Sequence, residues 1–484
     1  MIDSSAKNAL FSSENRERIG LHYLGISLIL AWYYCLWFTP NFFTSTPITD
    51  TNVTFSWLST LAFTGVAFLV TPMAFRKIRF YDHQKAIPAI AGIMGVATFA
   101  FGVLGFALAS PVLSLVVFPL VFAVCNAVFW VAWGEFHARR KSNFSLSKFA
   151  FTFGSVMLPS AIVASLLPHY VVDVFVASFP VISAFAYIKE NQGLGNRELP
   201  TLLPKATRAK TSKATAAISI VIFFTCVGCY FNIAIIPEST LLPDGLSYVL
   251  GIVGAALVCL VISIVQKITK RSIASYRLLP WLVVTCIVAL AVFVNGNPER
   301  FDISFVITVT LAGVFEVFLI AYFGALSNKG HLSPIFAFAI SSAIVRLGFF
   351  AGDTWAVIYE HNAFLAENFT QGTSLLLLCV LAAMLVPLLH KENMLVQLTQ
   401  APAGPSEIEE VCDAAIEEFS LSKREGEILK YIARGYTVDN ISKKLVISPY
   451  TTQTHVRHIY SKMHVHKRSE LLDYINMHRS ENND

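Results

Sequence analysis

Twelve stretches of roughly 20 apolar residues recur along this 484-residue chain, near 19–38, 55–75, 86–107, 112–133, 149–168, 170–188, 215–236, 246–266, 277–295, 304–326, 334–359 and 372–390. A helix rises 1.5 Å per residue, so about 20 residues match the roughly 30 Å of a bilayer's hydrocarbon layer. Backbone groups facing lipid must pair within their own segment, so each run is expected to be a helix. Composition agrees: 55% of residues are hydrophobic and 14% charged, where a soluble protein carries about a quarter charged. These values exclude a simple cytosolic enzyme, a disordered chain and a secreted disulfide scaffold. The first run is too long for a signal-peptide core and no small-residue cleavage pattern follows it. Seven of the eight cysteines (Cys35, Cys125, Cys226, Cys229, Cys259, Cys286 and Cys379) lie in apolar runs and read as small membrane-core side chains. Cys226 and Cys229 form a CxxC, but inside an apolar helix that spacing favours packing over redox or zinc chemistry.

Lysine and arginine set the orientation. Lys7, Arg16 and Arg18 precede the first run, and basic residues recur in every second loop, including Arg76–Lys85, Arg139–Lys148, Lys189–Lys213, Lys267–Arg277 and Lys329. Those segments hold 22 Lys and Arg, and the intervening loops hold one, Arg300. The asymmetry predicts a multi-pass membrane protein with both termini in the cytoplasm. A missed or invented span would scramble this alternation, so the bias also supports twelve spans.

The longest cytoplasmic loop, about 189–214, divides the spans six and six, and it carries Pro200, Pro204 and a run of basic residues. This arrangement resembles the major facilitator superfamily of transporters. The resemblance covers 1–390 and rests on topology; the acidic–basic signature of the family's 2–3 loop is absent from Thr71–Lys85, where the only acid is Asp82. It implies two half-bundles with a cavity between them at the midplane.

Polar groups within the bilayer are costly and need a reason. Glu316 falls mid-span in the tenth run and Arg346 mid-span in the eleventh. They are expected to pair facing the cavity, with Asn126, Asn232 and Asp353 joining them and Trp130, Trp133 and Trp355 as aromatic walls. A ligand role and a purely structural ion pair holding two helices together both fit. Glu135 and Asp173 fall near span ends, where a side chain reaches water cheaply, and receive no role.

After Lys391 the composition changes. Residues 391–418 hold Ala401-Pro-Ala-Gly-Pro405 and then a run of acids, and they read as a linker that forms a short helix or stays solvated. Residues 419–484 read as a small helical domain. Ser422 and Glu425 form a capping box, Ile428, Leu429 and Ile432 follow at helical spacing, and Gly435 supplies a left-handed stop. Thr437 caps a second short helix with Ile441 and Leu445 inward. After the turn Val446-Ile447-Ser448, Ser448 caps a third helix with Pro449 at its first position. Val456, Ile459, Tyr460 and Met463 make its inner stripe, and Tyr450, Gln453, Thr454, Arg457 and Ser461 its outer face. A fourth helix carries Leu471, Leu472 and Ile475. Two helices joined by a tight turn, the second presenting amide, hydroxyl and guanidinium groups, form a helix-turn-helix suited to the major groove of double-stranded DNA. Residues 419–484 carry 11 Lys and Arg against 7 Asp and Glu, a sign that suits phosphate contact.

Leu421-Ser-Lys-Arg-Glu-Gly-Glu-Ile-Leu429, Ala433-Arg-Gly435, Ile441-Ser-Lys-Lys-Leu445, Ile447-Ser-Pro-Tyr-Thr451, His455, Ile459-Tyr-Ser-Lys462 and Arg468-Ser-Glu-Leu471 resemble the DNA-binding domain of LuxR-type transcriptional regulators. The resemblance implies that Thr451 and Lys462 contact phosphates and that Thr452, Gln453 and Arg457 lie at or near base edges. The family usually has Val, Lys and Asn where this chain has Thr452, Gln453 and His458. His455 matches the family and reads equally as a packing group or a DNA contact. The resemblance also assigns dimerisation to the fourth helix.

The expected fold class is therefore all-α: a twelve-span bundle over 1–390, a linker over 391–418, and a four-helix LuxR-type domain over 419–484. The expected function is a membrane-bound one-component transcription regulator, with the bundle sensing an unidentified small-molecule effector or a membrane state. The expected partners are double-stranded DNA, the lipid bilayer and a second copy on DNA, with RNA polymerase a further candidate. The rival is a secondary transporter with an appended regulatory domain. No phosphate loop, zinc spacing or nucleophile elbow points to an enzyme, a metal or a cofactor.

Overall fold

In a computed structural model, residues 21–42, 51–108, 110–140, 144–203, 205–235, 246–269, 278–295, 298–390, 405–433 and 436–481 are described. They contain helices and turns and no strand, and the chain divides into two compact units, Met1–Thr399 and Gln400–Asp484.

The first unit holds α1 (Leu24–Phe38), α2 (Thr51–Ala74), α3 (Ala86–Leu104), α4 (Phe118–Arg139), α5 (Leu146–Leu166), α6 (His169–Leu194), α7 (Lys205–Ile235), α8 (Leu246–Thr269), α9 (Leu279–Val294), α10 (Pro298–Asn328), α11 (Pro334–Glu360) and α12 (Ala363–His390). Eleven of these twelve segments, the first counted with the helical turn from Leu21 and the fourth with that from Leu113, are long and apolar enough to cross a membrane. The remaining one, α9, has 16 described residues, about 24 Å of helix. Its N-terminal neighbours 270–277, where part of the expected span begins, lie outside the described residues, as do Lys7, Arg16 and Arg18.

Packing follows an internal repeat. In the first half α1 packs on α5 and α6, α3 on α6 and α4, and α2 on α4. The corresponding contacts six helices later are all present: α7 on α11 and α12, α9 on α12 and α10, and α8 on α10. The halves meet along two seams, α2 with α11 and α5 with α8, which exchange under the same six-helix shift. Glycines let the backbones approach there: a Cβ at Gly65 would lie 2.7 Å from Leu347, and one at Gly154 would lie 2.7 Å from the Ala256 carbonyl. Small residues at such crossings are a general route to tight helix packing in lipid. The outward positions are apolar, with Val96, Leu166 and Ile268 among the most exposed.

The fourth span reaches six residues beyond its expected end, to Arg139. The reason lies in its charges. Glu135 does not reach for water; it is buried and accepts the backbone N–H groups of Phe80 (2.7 Å) and Tyr81 (3.0 Å) from the 2–3 loop. Arg139 lies 3.6 Å from Glu135 and donates to Asn191 and to the Gly195 carbonyl at the end of α6. Asp173 is buried as well. Charges satisfied inside the fold need no snorkelling, so the helix continues.

The second unit holds α13 (Pro405–Glu418), α14 (Lys423–Ala433), α15 (Val438–Leu445), α16 (Pro449–Lys462) and α17 (Arg468–Glu481). Residues 405–418, expected within the linker, are a helix whose Val411, Cys412 and Ala415 are buried with Leu421, Ile428, Leu429, Ile441, Val456, Ile459, Met463, Leu471 and Ile475 in one core. The reason is an apolar stripe, 411–412–415, at helical spacing inside an acid-rich sequence. The rest of the linker and Gly435 lie outside the described residues.

Candidate nucleic-acid interface and intramembrane polar centre

The helix-turn-helix is built from local caps. The Ser422 N–H donates to Glu425 (2.8 Å) while the Glu425 N–H donates to the Ser422 hydroxyl (3.3 Å), a reciprocal capping box. Thr437 accepts from the Asn440 N–H and opens α15. That helix ends at Val446, held left-handed with φ 52°, and the Ile447 N–H closes back on the Ser442 carbonyl at 3.0 Å. A β-branched residue pays strain in this region, and the packed turn holds it there. Ser448 then accepts the Thr451 N–H at 2.9 Å and starts α16 with Pro449 in its first turn.

One side of α16 is core: Val456, Ile459 and Met463 are buried, with Tyr460 packed at their edge. The other side presents Tyr450, Gln453, Arg457 and Ser461, all exposed and spaced three or four residues apart, beside exposed Ser448, Thr451 and His458. Tyr450 is 80% exposed. The major groove admits a helix carrying such a stripe, and Gln and Arg distinguish adenine and guanine edges there. Thr454 and His455 sit half-buried at its border.

Two sequence-assigned contacts look different in three dimensions. Thr452, expected at or near a base edge, is 0% exposed and donates its hydroxyl to the Ser448 carbonyl. It faces the core because 452, 456, 459 and 463 share one side of a 3.6-residue helix. Lys462 is exposed, but its ammonium is held by Glu425 (2.8 Å) and the Ser420 carbonyl (3.2 Å). Burial opposes ionisation of Glu425, but the Lys462 ammonium and the Ser422 N–H and hydroxyl outweigh it and hold the carboxyl down to about 2. His458 approaches the same carboxylate at 3.7 Å.

Within the membrane unit, Glu316 on α10 and Arg346 on α11 form a buried ion pair, 4% and 3% exposed at the side chain. Trp130 of α4, Leu319, Ile320, Ser341, Ser342 and Val345 line a small cavity with them. Sequence reasoning missed Tyr33 of α1, whose ring lies 4.0 Å beneath the Arg346 guanidinium. A tyrosine in mid-span was the available signal, since its hydroxyl needs a reason to be in lipid. Asn126, on the same helix as Trp130, is buried and its Oδ1 has no partner, and Glu316 Oε2, Arg346 Nε and Trp130 Nε1 are likewise unpartnered. The other expected members lie apart. Asn232 is spent on Ser304 and Thr308 at 2.8 Å each, and Asp353 pairs with the Trp57 indole. Trp133 donates to Ser183 at 3.0 Å and Trp355 packs against Phe231, so neither lines this cavity.

Among the described residues, no group of His, Cys, Asp and Glu is placed to hold a metal ion.

Residues 419–475 match the luxR family of bacterial regulatory proteins. Over 69 residues the chain is 39% identical to an oxygen regulatory protein NreC of Staphylococcus epidermidis, covering 14% of this chain and 32% of that one. It is 44% identical over 54 residues to NreC of Staphylococcus aureus, covering 11% of this chain and 25% of that one. The chain thus spans a quarter to a third of the length of these relatives. The bundle shares its fold with solved transporters. A bacterial homologue of the iron transporter ferroportin, in an outward-facing state, aligns over 76% of this chain and 99% of its own, with TM-score 0.51 and 13% identity. A POT family transporter in complex with 5-aminolevulinic acid aligns over 78% and 96%, with TM-score 0.50 and 12% identity. A luxR-type helix-turn-helix is thus joined to a polytopic membrane domain that shares its fold with these transporters.

Proposed function

We propose that this chain is a membrane-bound one-component transcription regulator. Both termini lie in the cytoplasm, the bundle spans the bacterial inner membrane, and the tail binds promoter DNA at the membrane surface. The observation that carries this reading is the exposed Tyr450–Gln453–Arg457–Ser461 stripe on a fully capped second helix of the luxR-type fold. Thr451 contacts phosphate, Gln453 and Arg457 read bases, and Ser448, Tyr450, Thr454 and His455 border them. Lys462 reaches phosphate only by leaving Glu425. Two copies bind related half-sites through α17, and RNA polymerase is the recipient of the signal.

The effector enters at the centre formed by Glu316, Arg346 and Trp130, whose three unpartnered polar atoms await one donor and two acceptors, with the unpartnered Asn126 one turn away on the Trp130 helix. A ligand that binds one arrangement of the half-bundles better than the other shifts the population and so the tail. No catalytic step, metal or cofactor enters this reading. Retention of promoter fragments on immobilised residues 400–484 tests it. Sequence-selective retention that weakens with salt is expected, and its absence at every salt concentration overturns the proposal.

The transporter-like fold favours a second reading, a secondary transporter with an appended regulatory domain. Uptake into vesicles that is lost in Glu316→Gln supports it. Glu316 already has Arg346 to neutralise it, and Asp353 is bonded to Trp57, so neither stands as an unpaired coupling acid.

A further inference from the structure

The CxxC of α7 does not act within itself; one of its cysteines meets a third cysteine from another helix. Cys229 of α7 donates its thiol to the sulfur of Cys286 on α9, at 3.6 Å, and Cys286 donates to the Thr225 carbonyl at 3.7 Å. Both are fully enclosed by the second half-bundle. The contact depends on Gly228: a Cβ there would sit 3.3 Å from the Cys286 sulfur. Cys226, one turn earlier, faces away towards α11, where its Cβ lies 2.6 Å from the position a Cβ would take on Gly348.

We propose that Cys229 and Cys286 are a disulfide-forming modification site, oxidised by a small uncharged peroxide that permeates the bilayer. The two sulfurs already touch, and reaching the roughly 2.05 Å of a disulfide needs an approach of about 1.5 Å, within the reach of side-chain rotation and a slight helix shift. Charged oxidants are excluded by the burial of both thiols beside Leu290 and Leu381, and the compact size and neutrality of a peroxide suit passage between packed helices.

Cys286 reacts first: the Cys229 S–H donates to its sulfur and stabilises negative charge there. Its sulfur attacks one peroxide oxygen, an S–O bond forms and the O–O bond breaks. The departing hydroxide takes the thiol proton and leaves as water, and Cys286 becomes a sulfenic acid. Cys229 then attacks the sulfenic sulfur. The S–S bond forms, the S–O bond breaks, and the hydroxyl leaves as a second water with the proton of Cys229. Two thiols lose two electrons, and one peroxide gains them. The product ties α7 to α9. Because α7 packs along α11, which carries Arg346, the tie restrains the helix seated against the polar centre. The bundle thereby acquires an oxidant input separate from effector binding.

The test uses the full-length chain in native membrane vesicles. Vesicles are exposed to hydrogen peroxide, cleared with catalase, dissolved in detergent with excess N-ethylmaleimide, and mapped by peptide mass spectrometry. The expected result is a thiol-reducible crosslinked peptide joining Cys229 to Cys286, retained in Cys226→Ser and missing from Cys286→Ser, with Cys226, Cys259 and lipid-exposed Cys379 recovered as maleimide adducts. Retention in Cys226→Ser keeps the result independent of whether Cys286→Ser folds. Recovery of Cys229 and Cys286 as adducts after prolonged treatment, or a crosslink that joins Cys226 instead, overturns the proposal.

Discussion

In the bundle the exposed positions are residues such as Val96, Leu166 and Ile268, and the charges Glu135, Arg139, Glu316 and Arg346 are inside. In the tail the exposed positions are residues such as Tyr450, Gln453 and Arg457, and Ile428, Leu429 and Ile441 are inside. The solvent accounts for the inversion. Water tolerates any polar surface, so a tail residue exposed without structural need is available for recognition. Lipid tolerates none, so in the bundle the informative residues are the polar ones that remain buried. Function is therefore sought on the outside of one region and on the inside of the other.

The comparison breaks most sharply at the ion pair. Removing one partner strands a charge in a low-dielectric interior, so Glu316→Leu or Arg346→Leu alone is expected to cost about 3–5 kcal/mol. The double replacement recovers most of it. All seven tryptophans lie in the first unit, so tryptophan fluorescence during unfolding reads the bundle separately from the tail. Equal losses in the single and double variants would make the pair's contribution something other than charge compensation.

On the tail, Gln453→Ala and Arg457→Ala are each expected to weaken DNA binding by about 1–3 kcal/mol and to relax base preference at one position, with the fold unchanged. Competition binding with permuted half-sites measures both. A uniform loss across all sequences would place these side chains on phosphate instead.

Glu425→Gln removes half of the capping box and the partner of Lys462, and is expected to cost the tail about 1–2 kcal/mol. The folded carboxyl is held down to about 2 from an ordinary 4.5. The unfolded chain therefore takes up the proton first on acidification, and the contribution is complete above about pH 4.5 and fades as pH falls through 2. Circular dichroism melts of the isolated tail should show a shallower acid limb in the variant. The smallest effect belongs to Thr452→Val, which keeps the core volume and removes one hydroxyl bonded to its own helix. The Ser448 carbonyl keeps its bond from the Thr452 N–H, so stability is expected to move by about 1 kcal/mol or less and base preference not at all; a change in preference would return position 452 to the DNA interface.

The same physics decided which features were legible in the sequence. Spans, halves and tail caps follow from short-range rules, and they were readable: the Ser422–Glu425 box, the Ser448 cap and the Glu316–Arg346 pair all stand where spacing put them. Partners brought together over long separations were not. Nothing near Glu135 in sequence announces the amides of Phe80 and Tyr81, and nothing near Arg346 announces Tyr33. The family resemblance put Thr452 at or near a base edge, and only helical phase applied across the whole inner stripe turns it to the core. The 405–418 helix was obscured by its acids, which solvate the outer face while 411, 412 and 415 carry the packing.

The central claim, that a membrane-spanning chain holds a sequence-reading domain against DNA, is tested most directly by sequencing the DNA crosslinked to the full-length chain in native membranes. The account predicts a discrete set of sites sharing a two-fold motif, lost when Gln453 and Arg457 are both changed to Ala. Membranes that recover no enriched site, or the same sites with the double variant, would contradict it.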